Sequence, residues 1–153
     1  MTINTFITVF DEISWDIHGS KPFTSITGMK EKVVPMYDQG YSALIEDLHQ
    51  RGLDKKVLLV VWGEFGRTPK INSNAGRDHW PDAMSVLVSG GGMATGQVIG
   101  ATTRKGEEPV RRPLTPNDLW ASVYQHLGIN PEIAFPEYSG RPMPILPFGD
   151  PIP

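Results

Sequence analysis

Cysteine is absent from the 153 residues, which excludes disulfides, thiolate metal sites and cysteine nucleophiles. An absence of Cys suits either redox environment, so the compartment stays unassigned. Net charge is also small: 14 Lys and Arg against 17 Asp and Glu leave a formal charge of -3. That balance gives no general attraction to a phosphate backbone, and no nucleic-acid partner is expected. Binding of an anionic small molecule by clustered Arg or by a metal stays open. Long apolar runs are missing as well. Nothing approaches the roughly 20 apolar residues of a membrane span, and MTINTFITVFDEISWD lacks the basic start and apolar stretch of a signal peptide. No membrane role is expected, and with no thiolate available any metal must sit on His, Asp and Glu.

What is present suits a globular domain: 39% hydrophobic and 20% charged residues in a chain long enough for one core. NTFITVF, residues 4 to 10, has the β-branched and aromatic content of a strand and runs into the polar DEISWDIHGS. From Met29 to Arg51 the apolar positions Val33, Val34, Tyr37, Tyr41, Leu44, Ile45 and Leu48 recur at helical spacing, with Gly52 as a stop. Pro35 and Gly40 warn of a break in its front half. KVLLVVW, residues 56 to 62, is a continuous apolar run of the kind found in a strand covered on both faces.

Residues 63 to 82 read as a loop, AMSVLVSGGG (83 to 92) as a second buried strand and QVIGAT (97 to 102) as a shorter one. TPNDLWASVYQHLGI has Thr115 as N-cap, Pro116 at the first helical position, Asp118 in the first turn and Gly128 to close it. Half of the 14 prolines fall between Pro131 and Pro153, an expected extended wrap. Strands alternating with helices in this order predict an α/β domain with a mostly parallel sheet and helices on both faces.

Ligands in open α/β sheets collect at the carboxyl ends of strands, where loops converge on rigid supports. Asp16 and His18 follow the first expected strand, Glu64 follows KVLLVVW, and His79 lies in the next loop. Their oxygen and nitrogen donors suit a divalent ion, with zinc, manganese, magnesium and calcium all open, and suffice in number for one hydrolytic centre. Each alone is weak evidence, since a single His is more often structural. His49 and His126 sit at helix ends, where a solvated or dipole-related role is the simpler reading.

Arg67 and Arg77 divide evenly between salt-bridge partners of nearby carboxylates and clamps on a phosphate or sulfate. SGGGMATG lacks the spacing and the Lys of a phosphate loop and reads as a turn. Thr68 and Ser20 are nucleophiles by type only. Trp15, Trp62 and Trp80 flank the clusters and read as packing, whereas a carbohydrate-binding role would need their rings exposed.

The order WDIHGS, GEFGRTP, GRDHW and SGGG resembles the domain-of-unknown-function 1501 family over residues 5 to 130. YSALIEDLHQRGLDKKVLLVVWGEFGRTP and PLTPNDLWASVYQHLGI look like stretches of sulfatases and related alkaline-phosphatase-like enzymes. That resemblance implies an alkaline-phosphatase-like fold, divalent ions and hydrolysis or transfer of small anionic esters, phosphate or sulfate. It implies that Asp16, His18 and His79 hold a first metal and that Glu64 takes the place of a second-site Asp. Asp16 and His18 stand closer together than the corresponding phosphatase pair, and Phe65 replaces a neighbouring His ligand.

The nucleophile and a further metal-site Asp lie, in those enzymes, ahead of the matched segment. Residues 1 to 130 therefore correspond to the C-terminal half of such a domain, with 131 to 153 as a Pro-rich tail. A complete site then calls for a homo-oligomer or a preceding segment. A non-catalytic remnant of the fold, or an interaction module with at most a structural metal, is the alternative.

Overall fold

A computed structural model describes residues 14–153; the expected strand at residues 4 to 10 lies outside them. The chain enters a helical run at Ser25, whose hydroxyl accepts the N–H of Gly28 at 3.1 Å and so caps the first turn. The run comprises α1 (Ile26–Gly28), a π-helical turn (Met29–Val33) and α2 (Val34–Gln50). It starts three residues before the Met29 suggested by periodicity, and Pro35 marks its irregularity. Proline has no N–H to continue the ladder, and just before it the N–H of Val34 reaches back five residues to the carbonyl of Met29. The helix continues with its register shifted by one residue. It stops at Gly52, left-handed at φ 65°, with the N–H of Leu53 closing on the carbonyl of Leu48 at 2.8 Å.

The sheet departs most from expectation. Eight short strands follow: β1 (Leu58–Val61), β2 (Gly66–Arg67), β3 (His79–Trp80), β4 (Leu87–Gly90), β5 (Ala101–Thr102), β6 (Pro109–Arg111), β7 (Ala134–Pro136) and β8 (Pro142–Pro144). They pair as four two-stranded ribbons, β1–β4, β2–β3, β5–β6 and β7–β8, each antiparallel. Among the described residues there is no parallel pair, and the mostly parallel α/β sheet with helices on both faces is overturned. An apolar run states that a strand is sheltered but carries nothing about its partner's direction. Here Leu58–Val61 is half-buried along its whole length, and β4 returns beside it after an excursion that contains β2 and β3. The expected tail wrap closes into the β7–β8 hairpin, with Pro136 opposite Pro142.

Helix α3 (Pro116–Leu127) forms as its sequence predicts. Thr115 donates to Asp118 Oδ2 from its N–H at 2.6 Å and from its hydroxyl at 2.8 Å, and Gly128 ends the helix at φ 68°. The far end of the chain is laced to this helix: the N–H of Asp150 donates to Asp118 Oδ1 at 2.9 Å and that of Ile152 to Ser122 Oγ at 2.8 Å. These bonds, that of Thr115 first and that of Asp150 second, hold the Asp118 carboxyl below its ordinary value. A depressed acid stabilises the fold above its unfolded-state pKa, and the contribution fades as pH falls through the folded one. Asp118→Ala is expected to cost about 1 kcal/mol near neutral pH. The gap in melting temperature from the wild type should narrow on acidification through the carboxylate range.

Buried apolar side chains are few. Among the described residues Val33, Leu119 and Ala121 are buried, while Trp15, Met36, Leu44, Ile71, Val98 and Phe135 belong to a much larger exposed set. Among the described residues no helix is long and apolar enough to cross a membrane.

Candidate functional site

Two segments far apart in sequence meet at one edge. The first is the loop 14–24, closed on itself where the N–H of Thr24 donates to the carbonyl of Asp16 at 2.7 Å and that of Gly19 to the carbonyl of Thr24 at 3.0 Å. Thr24 is buried, and its hydroxyl donates to the Ser14 carbonyl at 2.6 Å and accepts the Ser14 N–H at 2.9 Å. The loop is thus rigid without belonging to a sheet.

The second segment is the excursion between β1 and β4, folded on the β2–β3 ribbon. Arg67 stands directly opposite His79 in that ribbon, and directly paired side chains share a face. Backbone contacts join the two segments. The N–H of Arg77 donates to the carbonyl of Ile17 at 2.8 Å, that of Ile26 to Ala75 at 2.9 Å, and Asn72 Nδ2 to the carbonyl of His18 at 3.2 Å. Asn72 Oδ1 also accepts the N–H groups of Asn74 and Gly76, so one side chain folds the loop and ties it across. The approach is too close for side chains. A Cβ on Gly76 would collide with the backbone of His18, and one on Gly19 with the backbone of Asn74.

This seam brings Asp16, His18, Arg67 and His79 together. His18 Nδ1 bonds to Asp16 Oδ1, the rings of His18 and His79 lie 4.8 Å apart between centroids, and Arg67 Nη2 is 3.9 Å from Asp16 Oδ1. The Asp16, His18 and Arg67 side chains keep 26%, 29% and 23% of their exposure, sheltered yet open to a small solute. Aromatic rings line the cluster. Phe65 packs on His79 at 4.0 Å and under the Arg67 guanidinium at 5.5 Å, and Phe23 lies 5.4 Å from His18.

Glu64 and Arg77 are placed differently. Glu64 is exposed in the bend before β2, and it is the ring of its neighbour Phe65 that reaches His79. Arg77 Nη1 donates to the carbonyls of Thr68 and Pro69, the latter at 2.6 Å, which braces the loop from within. The tryptophans disperse: Trp15 meets Tyr37 edge-on at 5.5 Å, Trp62 meets Trp120 at 5.9 Å, and Trp80 Nε1 donates to the Glu107 carbonyl at 2.7 Å.

Imidazole and carboxylate donors at this edge suit zinc or manganese by type. Among the described residues, however, no three His, Asp or Glu side chains converge into a set able to hold an ion. The cluster offers two imidazoles and one carboxylate without gathering them into such a set. Sequence reading overlooked Phe23 and Asn72, and took Phe65 only as the replacement of a His ligand, not as a ring packed on His79. The Asn-Ala-Gly turn of NSNAG was the available signal for Asn72, but not for its partner 54 residues away.

A family model described as a protein of unknown function, DUF1501, matches residues 4–152. The chain belongs to that family. No curated protein and no solved structure matches this DUF1501 chain.

Proposed function

We propose that this DUF1501 chain supplies part of a divalent-metal centre for hydrolysis of small anionic esters, phosphate or sulfate. The observation that carries the reading is the meeting of Asp16, His18 and His79, from segments some 60 residues apart in sequence, beside an Arg67 guanidinium. Kinship with sulfatases and alkaline phosphatases rests on the sequence motifs alone.

In this reading His18 and His79 hold the ion, with Asp16 at the same edge. A bound divalent ion supplies Lewis-acid polarisation of an ester oxygen. Arg67 pairs with the anion, its guanidinium over the Phe65 ring and close to Asp16. Arg77 keeps the loop in shape, and the rings of Phe23 and Phe65 pack beside the imidazoles of His18 and His79.

The test is elemental analysis of protein purified without chelator, followed by a panel of aryl phosphates and aryl sulfates. Bound metal with turnover that falls in Arg67→Ala supports the hydrolase reading. Bound metal without turnover leaves a metal-holding module, and absence of metal removes the proposal.

One observation favours the second reading, an interaction module: the large exposed apolar set beside a core of few buried side chains. It predicts that the chain elutes as an oligomer on size-exclusion chromatography, irrespective of metal.

A further inference from the structure

We infer that Asp16 is a positioning residue for His18: it fixes the imidazole with the proton on Nδ1 and so presents Nε2 at the shared edge. The inference rests on the metal-site reading and assigns a role within it. A single oxygen of Asp16, Oδ1, takes both the ring Nδ1 of His18 and the backbone N–H of the same residue, the latter at 3.2 Å. His18 is thereby gripped by main chain and ring at once. That oxygen is thereby committed to His18 by two bonds, one from each end of the residue.

The Asp16 main chain is itself held, its carbonyl accepting the Thr24 N–H at 2.7 Å, and Arg67 Nη2 stands 3.9 Å from Oδ1. The His18 ring has a neighbour at 5.4 Å in Phe23 and at 4.8 Å in His79, so its plane is limited by packing as well as by the carboxylate. A carboxylate accepting from Nδ1–H selects the tautomer whose free lone pair is on Nε2 and makes that nitrogen a better donor. Arg67, by sharing Asp16, couples anion binding to the orientation of His18.

Long-range proton–nitrogen NMR spectra of the metal-free chain read the tautomer directly. The inference expects His18 to carry its proton on Nδ1. Zinc titration by calorimetry then separates the roles. Asp16→Asn keeps an acceptor oxygen for Nδ1 and should bind zinc within about tenfold of the wild type, whereas Asp16→Ala should weaken binding by roughly 10–100-fold, the usual cost of losing an outer-shell partner. His18→Ala should abolish it. An Nε2–H tautomer in the wild type, or Asp16→Asn as damaging as His18→Ala, overturns the inference. If the wild type takes up no zinc, the metal-site reading fails on its own, and the tautomer, which needs neither metal nor variant, still decides what Asp16 does to His18.

Discussion

His79→Ala is expected to lower the divalent-ion affinity of this chain by more than the roughly 10–100-fold that loss of an outer-shell partner costs. The residue contributes one of the two imidazoles at the edge, and no third His, Asp or Glu among the described residues completes a set that would compensate. His49→Ala is the matched control. His49 lies at the exposed end of α2, paired with Asp54 at 3.5 Å, and its replacement should leave affinity unchanged. Calorimetric titration with zinc or manganese measures both. Wild-type affinity in both variants would remove His79 from the centre, and an equal loss in both would point to a global effect on the fold.

Gly76→Ala should cost stability and binding together. The position is buried, and the added methyl has nowhere to go because it would strike the main chain of His18, which cannot swing aside as a flexible side chain can. Overpacking of this kind costs about 1–3 kcal/mol, and backbone against backbone belongs at the upper end. Separating the two segments also separates His18 from His79, so zinc affinity should fall in a variant that touches neither histidine. Gly40→Ala has the opposite sign. It sits within α2 with open space around it and should gain about 0.5–1 kcal/mol by lowering the entropy of the unfolded chain. Thermal unfolding of both variants checks the contrast, and a neutral Gly76→Ala would mean that the seam between residues 14–24 and 72–77 is looser than the geometry requires.

Much of the helical structure was legible because helix ends are written locally. Gly52, Gly128, Thr115 and Asp118 each act through bonds to residues a few positions away, and Pro35 announced the irregular turn that precedes α2. The sheet was not legible. Direction and partner are non-local properties, and Leu58–Val61 would show the same apolar run in a parallel or an antiparallel pairing. The site divides in the same way. Asp16, His18 and His79 were expected to meet at the carboxyl ends of a mostly parallel sheet, whereas a backbone seam between the loop 14–24 and the antiparallel β2–β3 excursion brings them together. That Phe65 would reach His79 while Glu64 stays in the solvent depended on the bend before β2, which the sequence does not show. Arg77 stayed undecided between clamp and strut because the carbonyls of Thr68 and Pro69 that occupy it are displayed by the turn geometry alone.

The central claim is that His18 and His79, joined by the seam of Gly19, Asn72 and Gly76, give this chain a nitrogen-donor metal edge. X-ray absorption at the zinc edge of the zinc-loaded chain tests it most directly. The account predicts a shell of nitrogen and oxygen neighbours at about 2.0–2.1 Å together with the outer scattering of two imidazole rings, one of which is lost in His79→Ala. A zinc spectrum without imidazole scattering, or a chain that retains no zinc, would contradict it.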